Sequence, residues 1–318
     1  MTEGKPTQLP LLVISCDRYA DLWAPFFEIF FKEWPDCPFR VLLGSNHRQF
    51  EDQRVVTIPI GDDLNWAEGV RRMLECIDSK YILIFLEDFL LRKPVDSQRV
   101  AQLVNLAVER KVGCLRLVAG LPLAFPPSRP VPGLPGIGVI DKGESYRVSA
   151  QAAIWEVAVL RQLLVPGMTA WEFEEIGTML SSKFSQPFWA VYESAIEYSQ
   201  CVEKGKWKPE GLEICRRANI SVDLSARRAF TPEELVCYFK STEAACLPHQ
   251  QMRRAVRHFV LGEWARGLTE TVGLIRAAPL NPMPWGVLLV GATCPAVFSL
   301  VQRYRLKRRL QGIAQRSS

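Results

Sequence analysis

Short apolar runs recur through the first 118 residues: LPLLVISC (9–16), FRVLLG (39–44), RVVTIPI (54–60), YILIFL (81–86) and VGCLRLV (112–118). Each is too short for a helix and rich in Val, Ile, Leu and Phe, and Pro59 cuts the third one short. Between them lie segments with helical spacing of apolar residues: DLWAPFFEIFFKEW (21–34), DDLNWAEGVRRMLECI (62–77) and VDSQRVAQLVNLAVER (95–110), the last with Asp96 placed as an N-cap. Runs that are apolar on both faces, alternating with helices, fit one arrangement best. That is a mostly parallel sheet covered by helices on both sides, an α/β fold. At 318 residues the chain can bury a full core, as one large domain or two modest ones.

The pattern loosens after residue 120. LPLAFPPSRPVPGLPGIG (121–138) carries so much proline that a long surface loop is expected. YRVSAQAAIW (146–155) reads as a strand entering a helix, and TAWEFEEIGTMLSSKF (169–184) as a helix start. In the latter, Thr169 and Glu172 have capping-box spacing. FTPEELVCYFK (230–240) is marked as a helix by Thr231 at the N-cap, Pro232 at the first position and Glu234 closing the box. HQQMRRAVRHFVLGEWARGLTETVGLIRAA (249–278) reads as one long helix or two.

In a parallel sheet, ligands bind beyond the carboxyl ends of the strands. Asp17, Arg18, Glu87 and Asp88 all fall at such ends. Adjacent carboxylates repel, and burying them without a partner is costly, so Glu87 and Asp88 call for a strong counter-charge. A hard divalent cation, Mg²⁺ or Mn²⁺, would take carboxylate oxygens and share them with substrate phosphates. A solvated strand end or a helix cap is the plainer alternative. Asp17 and Arg18 could grip a nucleotide, Asp17 through base or ribose and Arg18 through phosphate, or Asp17 or Asp21 could cap the next helix. Trp66 and Trp171 could stack on a base or sugar, or serve as core.

Composition removes several classes. The chain is 48% hydrophobic and 23% charged, which is globular. Nine cysteines show no CxxC pair, and only His47, His249 and His258 are present, so a zinc site or disulfide framework is not expected. There is no GxxxxGK[ST] loop, no GxGxxG after the first strand and no GxSxG elbow. MTEGKPTQLP lacks the basic and apolar regions of a secretory signal. The net charge of +5 is local: six basic residues between Arg303 and the end outweigh it, leaving residues 1–302 at −1. That argues against a nucleic-acid partner and for a contact of the tail with something anionic.

NWAEGVRRMLECIDSKYILIFLEDFLL resembles the helix and strand that precede the metal-binding acidic motif of glycosyltransferases with the GT-A fold. LLVISCDRYADLW is similar to their nucleotide-contacting first strand and loop. YRVSAQAAIW followed by WEFEEIG resembles a subset of bacterial sugar transferases of the family-2 type. The likeness covers roughly residues 9–200, with Glu87-Asp88-Phe89 where the usual motif is Asp-x-Asp. The resemblance implies a GT-A-like domain over 1–225 and a helical C-terminal region over 226–318. It implies sugar transfer from a nucleotide-sugar donor to a glycan or lipid-linked acceptor, in bacterial surface polysaccharide synthesis.

Asp88 with Glu87 would hold the Mn²⁺ or Mg²⁺ diphosphate, and Cys16, Asp17, Arg18, Trp66 and Arg71 would line the donor site. Arg147, Gln151 and Trp171 would face the acceptor. Transfer by a single inverting displacement needs a base, and with histidine scarce a carboxylate is expected. Glu174 aligns best with that role. Glu172, which has a capping task available, is second. Acids at a helix N-terminus are also favoured by its dipole. Two other readings stand beside this one: a sugar nucleotidylyltransferase, and an inactive GT-A-like membrane-associated assembly protein.

The end of the chain carries a further expectation. WGVLLVGATCPAVFSLV (285–301) holds no charge and is followed at once by QRYRLKRRL. Seventeen residues lie at the bottom of the spanning range of about 17–25, and a span would place the preceding domain outside the cell, away from its donor. An apolar segment lying in the interface with the basic cluster on anionic lipid avoids that conflict. The expected location is cytoplasmic, on the inner face of the membrane. A buried C-terminal helix with a solvated tail is the alternative.

Overall fold

The computed structural model describes residues 9–119, 127, 129–238, 252, 255–256, 258–259, 264–293 and 296–317. The four leading apolar runs form strands β1 (Pro10–Ile14), β2 (Arg40–Ser45), β3 (Val55–Pro59) and β4 (Tyr81–Leu86), all parallel in the order β3-β2-β1-β4. Their helices are α1 (Trp23–Glu33) and α2 (Trp66–Glu75). A further strand, β5 (Phe89–Leu91), leads to α3 (Ser97–Glu109) and β6 (Cys114–Arg116). The caps are local and explicit. The Asp96 carboxylate accepts from Arg99 N at 2.9 Å, and the Asn65 side chain accepts from both Glu68 N and Gly167 N at 3.0 Å.

Alternation along the inner strands explains why they are apolar throughout. Leu11 and Val13 of β1 and Leu83 and Phe85 of β4 join a core with Phe26, Phe27 and Phe30 of α1 and Leu103 of α3. Leu12, Ile14, Ile82 and Ile84 point the other way, onto Val70 and Met73 of α2. Each buried Phe or Leu here contributes about 1.5–3 kcal/mol over an exposed one.

Beyond β4 the sheet changes character. The second half contributes β7 (Arg129–Val131), β8 (Leu134–Val139), β9 (Ala153–Glu156) and β10 (Phe188–Val191). The full order is β3-β2-β1-β4-β9-β6-β10-β8-β7, in which β8 and β9 oppose the other strands. The proline-rich stretch is therefore not all loop. Residues 121–126 and 128 lie outside the described residues, but 129–139 form an edge hairpin that turns at Pro132-Gly133, with Gly133 at φ +73°. Proline is tolerated there because β7 is the outermost strand and Pro135 precedes the part of β8 that pairs with β10.

On the second face lie α4 (Val157–Leu163) and α5 (Ala170–Leu180). The α5 capping box is present as expected, with Thr169 and Glu172 exchanging hydrogen bonds. Strand β11 (Tyr198–Gln200) pairs with β5, and β12 (Val202–Glu203) with β13 (Lys206–Trp207). Helix α6 is Pro209–Arg217, and α7, over 232–238, has the Thr231–Glu234 box. The C-terminal region holds α8 (Trp264–Ala277), α9 (Pro282–Thr293) and α10 (Ala296–Ser317). Most of 249–263, including His249, lies outside the described residues. The apolar stretch 285–301 is divided between α9 and α10, and among the described residues no helix is long and apolar enough to cross a membrane. Ile313 of α10, 2% exposed, is part of the α2–α5 core.

Candidate active site

Glu87 and Asp88 form the turn between β4 and β5, at the carboxyl end of a strand flanked by β1 and β9. The turn is pinned from outside: Gln200 pairs with Phe89, and Cys201 N donates to Asp88 O at 2.8 Å. Glu87 is 8% exposed, and burial first, then the charge of Asp88, pushes its carboxyl well above the usual range. Burial also pushes Asp88 up to about 7, against the Gln200 side-chain hydrogen bond that favours its charged form.

The counter-charge comes from far along the chain. Arg227, 7% exposed, lowers the Glu87 carboxyl and lies with its guanidinium 4.5 Å above the Tyr19 ring. Its fork is already engaged. Nε and Nη2 donate to the two Asp21 carboxylate oxygens at 2.8 and 2.9 Å, and the remaining bonds go to the carbonyls of Arg18 and Gly205 at 3.2 Å. Arg227 therefore serves Asp21 directly and Glu87 only through space, while the half-buried Lys208 lowers the Asp88 carboxyl from a distance. Neither cation offsets the burial that raises both carboxyls.

A second cluster meets the same rim because β9 runs backwards. Ala153, its first residue, stands opposite both Ile84 of β4 and Arg116 of β6. The residues just before it, Ser149 to Ala152, thus lie beside the carboxyl ends of the parallel strands. Glu174 of α5 reaches them, accepting from Ser149 Oγ at 3.1 Å and Ala150 N at 2.9 Å. Burial raises its carboxyl, while those two bonds and the Arg116 charge pull the other way. Arg116 is 3% exposed; one guanidinium nitrogen donates to Tyr146 O at 3.3 Å, and its Nε has no hydrogen-bond partner among the described residues. Tyr198 joins the two clusters. Its ring stacks on Phe89 at 4.4 Å, and its hydroxyl donates to Gln151 Oε1 and accepts from Ala152 N at 3.2 Å. Burial, chiefly, and the Asp88 charge hold that hydroxyl protonated.

The other expected site residues divide by location. Cys16 and Arg18 stand at the β1 end beside the acidic turn. Burial and Glu87 push the Cys16 thiol up to about 11, and Arg18 is exposed. Asp17 caps neither following helix. Its carboxylate instead accepts backbone N–H groups of Asn46, His47 and Arg48 at 2.9–3.3 Å, tying the β1 and β2 ends together. Gln151 is in the site through Tyr198. Trp171 is 69% exposed on α5. Trp66 packs on Phe173 at 5.2 Å, and Arg71 donates to the carbonyls of Arg161 and Leu164. Arg147 is buried over the Phe188 ring, bonded to Ser181 Oγ and Ile140 O. Glu172 closes its capping box and pairs with Arg316 at 2.5 Å.

Three site residues stand outside the sequence reading: Arg227, Arg116 and Tyr198. Arg116 had a signal available, a charge inside the apolar run GCLRLV.

Among the described residues no group of three or more His, Cys, Asp or Glu side chains could hold a metal by itself. Two carboxylates on one turn, both raised by burial, do fit a hard cation that completes its shell with substrate phosphate oxygens and water.

No family model and no curated protein matches the chain. It is similar to solved structures that include a UTP-bound UGPase from Acinetobacter baumannii, at 10% identity and a TM-score of 0.46, covering 76% of this chain and 99% of that one. A mannosyltransferase, PcManGT from Pyrobaculum calidifontis, in complex with GDP-Man and Mn²⁺, is 12% identical with a TM-score of 0.41, covering 98% and 87%. The chain spans about half (52%) of the bifunctional IspDF from Campylobacter jejuni, at 13% identity, a TM-score of 0.35 and 61% coverage of this chain. At these scores the likeness carries nothing about activity, and the fold assignment rests on the strand order itself. That order is a mixed α/β fold, a largely parallel sheet between helical layers with an acidic turn at the end of its fourth strand.

Proposed function

We propose that the chain is a glycosyltransferase that moves a sugar from a nucleotide-sugar donor to a glycan or lipid-linked acceptor. The observation that carries this reading is the turn that sets the buried Glu87 beside the half-buried Asp88, joined through Tyr198 to a second half-buried carboxylate, Glu174. Asp88, with Glu87 behind it, would hold Mn²⁺ or Mg²⁺ together with the donor diphosphate. When bound, the cation supplies positive charge against the departing diphosphate.

The protein's own groups do the rest. Arg227 fixes the helical turn 17–22 by its grip on Asp21 and on the Arg18 carbonyl, so that Cys16, Asp17 and Arg18 would flank the donor. Glu174 takes the proton from the acceptor hydroxyl as that oxygen attacks the sugar carbon and the bond to the diphosphate breaks, with inversion. The bonds from Ser149 and Ala150 orient its carboxylate, and burial raises its basicity above that of a solvated glutamate. Gln151 and Trp171 would face the acceptor. Residues 1–225 would form the catalytic domain and 226–318 a helical region holding it on the inner face of the membrane, in surface polysaccharide synthesis.

A thermal-shift screen of UDP, GDP, CMP and dTDP, with and without Mn²⁺, tests the reading on wild type and Asp88→Asn. A nucleotide at ~100 times its Kd stabilises the native state by about 2.7 kcal/mol. The expected result is one nucleotide that raises the melting temperature with Mn²⁺ and loses that effect in Asp88→Asn. No shift with any nucleotide would discard the transferase in favour of an inactive assembly protein. Release of pyrophosphate from a nucleoside triphosphate and a sugar phosphate would reassign it as a nucleotidylyltransferase.

A further inference from the structure

Helix α9 carries no charged residue, yet only one side of it is buried. That side packs through Val287 on a cluster that includes Leu274 of α8 and Phe259, and a Cβ on Gly291 would come within 2.5 Å of the Phe259 ring. The other side is open: Met283 is 56% exposed, Trp285 50% and Leu289 66%, and Leu280 in the preceding turn is 96% exposed. The same surface chemistry appears on α10, where Leu300 is 63% and Tyr304 65% exposed.

The cations of α10 with described side chains separate into two sets. Arg309 and Arg316 turn inward and pair with Glu175 and Glu172 of α5, on either side of the buried Ile313. Arg305, Lys307 and Arg308 are exposed, and no acid of the described residues pairs with them. No acidic residue occurs in α10 at all.

We infer that the outer faces of α9 and α10 form a docking surface for an anionic lipid bilayer. The apolar side chains of α9 enter the headgroup boundary, and Arg305, Lys307 and Arg308 lie on lipid phosphates. The inference deepens the membrane placement proposed above and rests on it. Two observations select the occupant. Trp285 and Tyr304 are apolar bodies with a polar tip, the residue types that settle at a membrane interface, beside a cationic cluster. A second copy of the chain, docked face to face, would bring the same uncompensated cations together, which disfavours that pairing. Inward anchoring by Arg309, Arg316 and Ile313 lets α10 join the lipid surface to α5, the helix that carries Glu174.

The test is sedimentation of the full chain with vesicles of phosphatidylcholine alone and of phosphatidylcholine mixed with phosphatidylglycerol. Binding to the anionic vesicles is expected to be at least about tenfold stronger and to weaken with salt. Arg305→Gln/Lys307→Gln/Arg308→Gln should abolish that preference. Trp285→Ser/Leu289→Asp should abolish binding to both vesicle types. All the substituted side chains are exposed, so unchanged melting temperatures would confirm that the variants are folded.

Equal pelleting by wild type and variants, or no pelleting with the anionic vesicles, overturns the inference. So does a lipid-free dimer that Leu289→Asp dissociates, because the face would then belong to a second copy. The nucleotide thermal shift is independent of lipid. A protein that shifts with nucleotide but ignores vesicles defeats only the docking surface, and the converse defeats only the transferase reading.

Discussion

Replacing Arg227 by methionine removes the cation that the architecture places between the helical turn 17–22 and the acidic turn. In the native protein its guanidinium makes a bidentate pair with Asp21, whose side chain is 20% exposed, and donates to two carbonyls. Methionine fills much of the same volume but leaves Asp21 without its partner and Glu87 without its nearest positive charge. Breaking a buried pair from one side costs about 3–5 kcal/mol. At roughly 2–4 °C per kcal/mol for a domain of this size, the melting temperature should fall by roughly 6–20 °C.

Arg227→Lys should recover little, because a single ammonium cannot reproduce the fork. Asp21→Leu/Arg227→Met should recover a substantial part, since the uncompensated charge goes with its partner. Calorimetric or fluorescence melting of the single and double variants closes the cycle. A loss below about 1 kcal/mol for Arg227→Met, or strict additivity in the double variant, would refute the assignment of Arg227 as the structural counter-charge.

Other outcomes follow from the same site. Because burial raises the Glu174 carboxyl, the folded state holds that proton more tightly than the unfolded chain, so the stability contribution is lost as pH rises through the raised value. Glu174→Gln, whose amide oxygen can still accept from Ser149 and Ala150, should therefore gain in melting temperature over wild type as pH rises above about 4, the unfolded-chain value for a glutamate. A difference that does not change with pH would contradict this. Gly211 of α6 lies so close to Cys201, just past β11, that an added Cβ would sit 2.5 Å from Cys201 Cβ and 3.1 Å from its Cα. Gly211→Ala should cost about 1–3 kcal/mol by overpacking, read by chemical denaturation.

The parts of the fold that sequence made visible are those with a local cause. Strands β1 to β4 announce themselves because both faces of the sheet are covered, and the caps at Asp96, Thr169 and Thr231 because each needs only residues three positions apart. Glu87-Asp88 stood out for the same reason, as charges at the end of a buried strand. Direction is not local. YRVSAQAAIW gave a strand followed by a helix but no sign that β9 runs antiparallel, which is what carries Ser149–Ala152 to the rim.

The same applies to partners. Arg227 and Asp21 are 206 positions apart, and ARRAF offers two arginines of which Arg228 is exposed and bonded to Glu234 instead. Arg147 and Arg71 looked like ligand-binding cations because nothing in sequence shows a carbonyl waiting for them. In the structure Arg147 donates to Ile140 O and Ser181 Oγ, and Arg71 to the carbonyls of Arg161 and Leu164. Edge position explains the hairpin in the proline-rich stretch, which composition alone reads as loop.

Electron paramagnetic resonance of free Mn²⁺, titrated into the protein with and without the nucleotide selected by thermal shift, tests most directly whether the Glu87-Asp88 turn holds a divalent cation completed by a nucleoside diphosphate. Weak Mn²⁺ uptake is expected for the protein alone, with tight uptake when nucleotide is present, beyond what nucleotide binds by itself, and loss of that gain in Asp88→Asn. Equal uptake by wild type and Asp88→Asn would contradict a cation site at this turn.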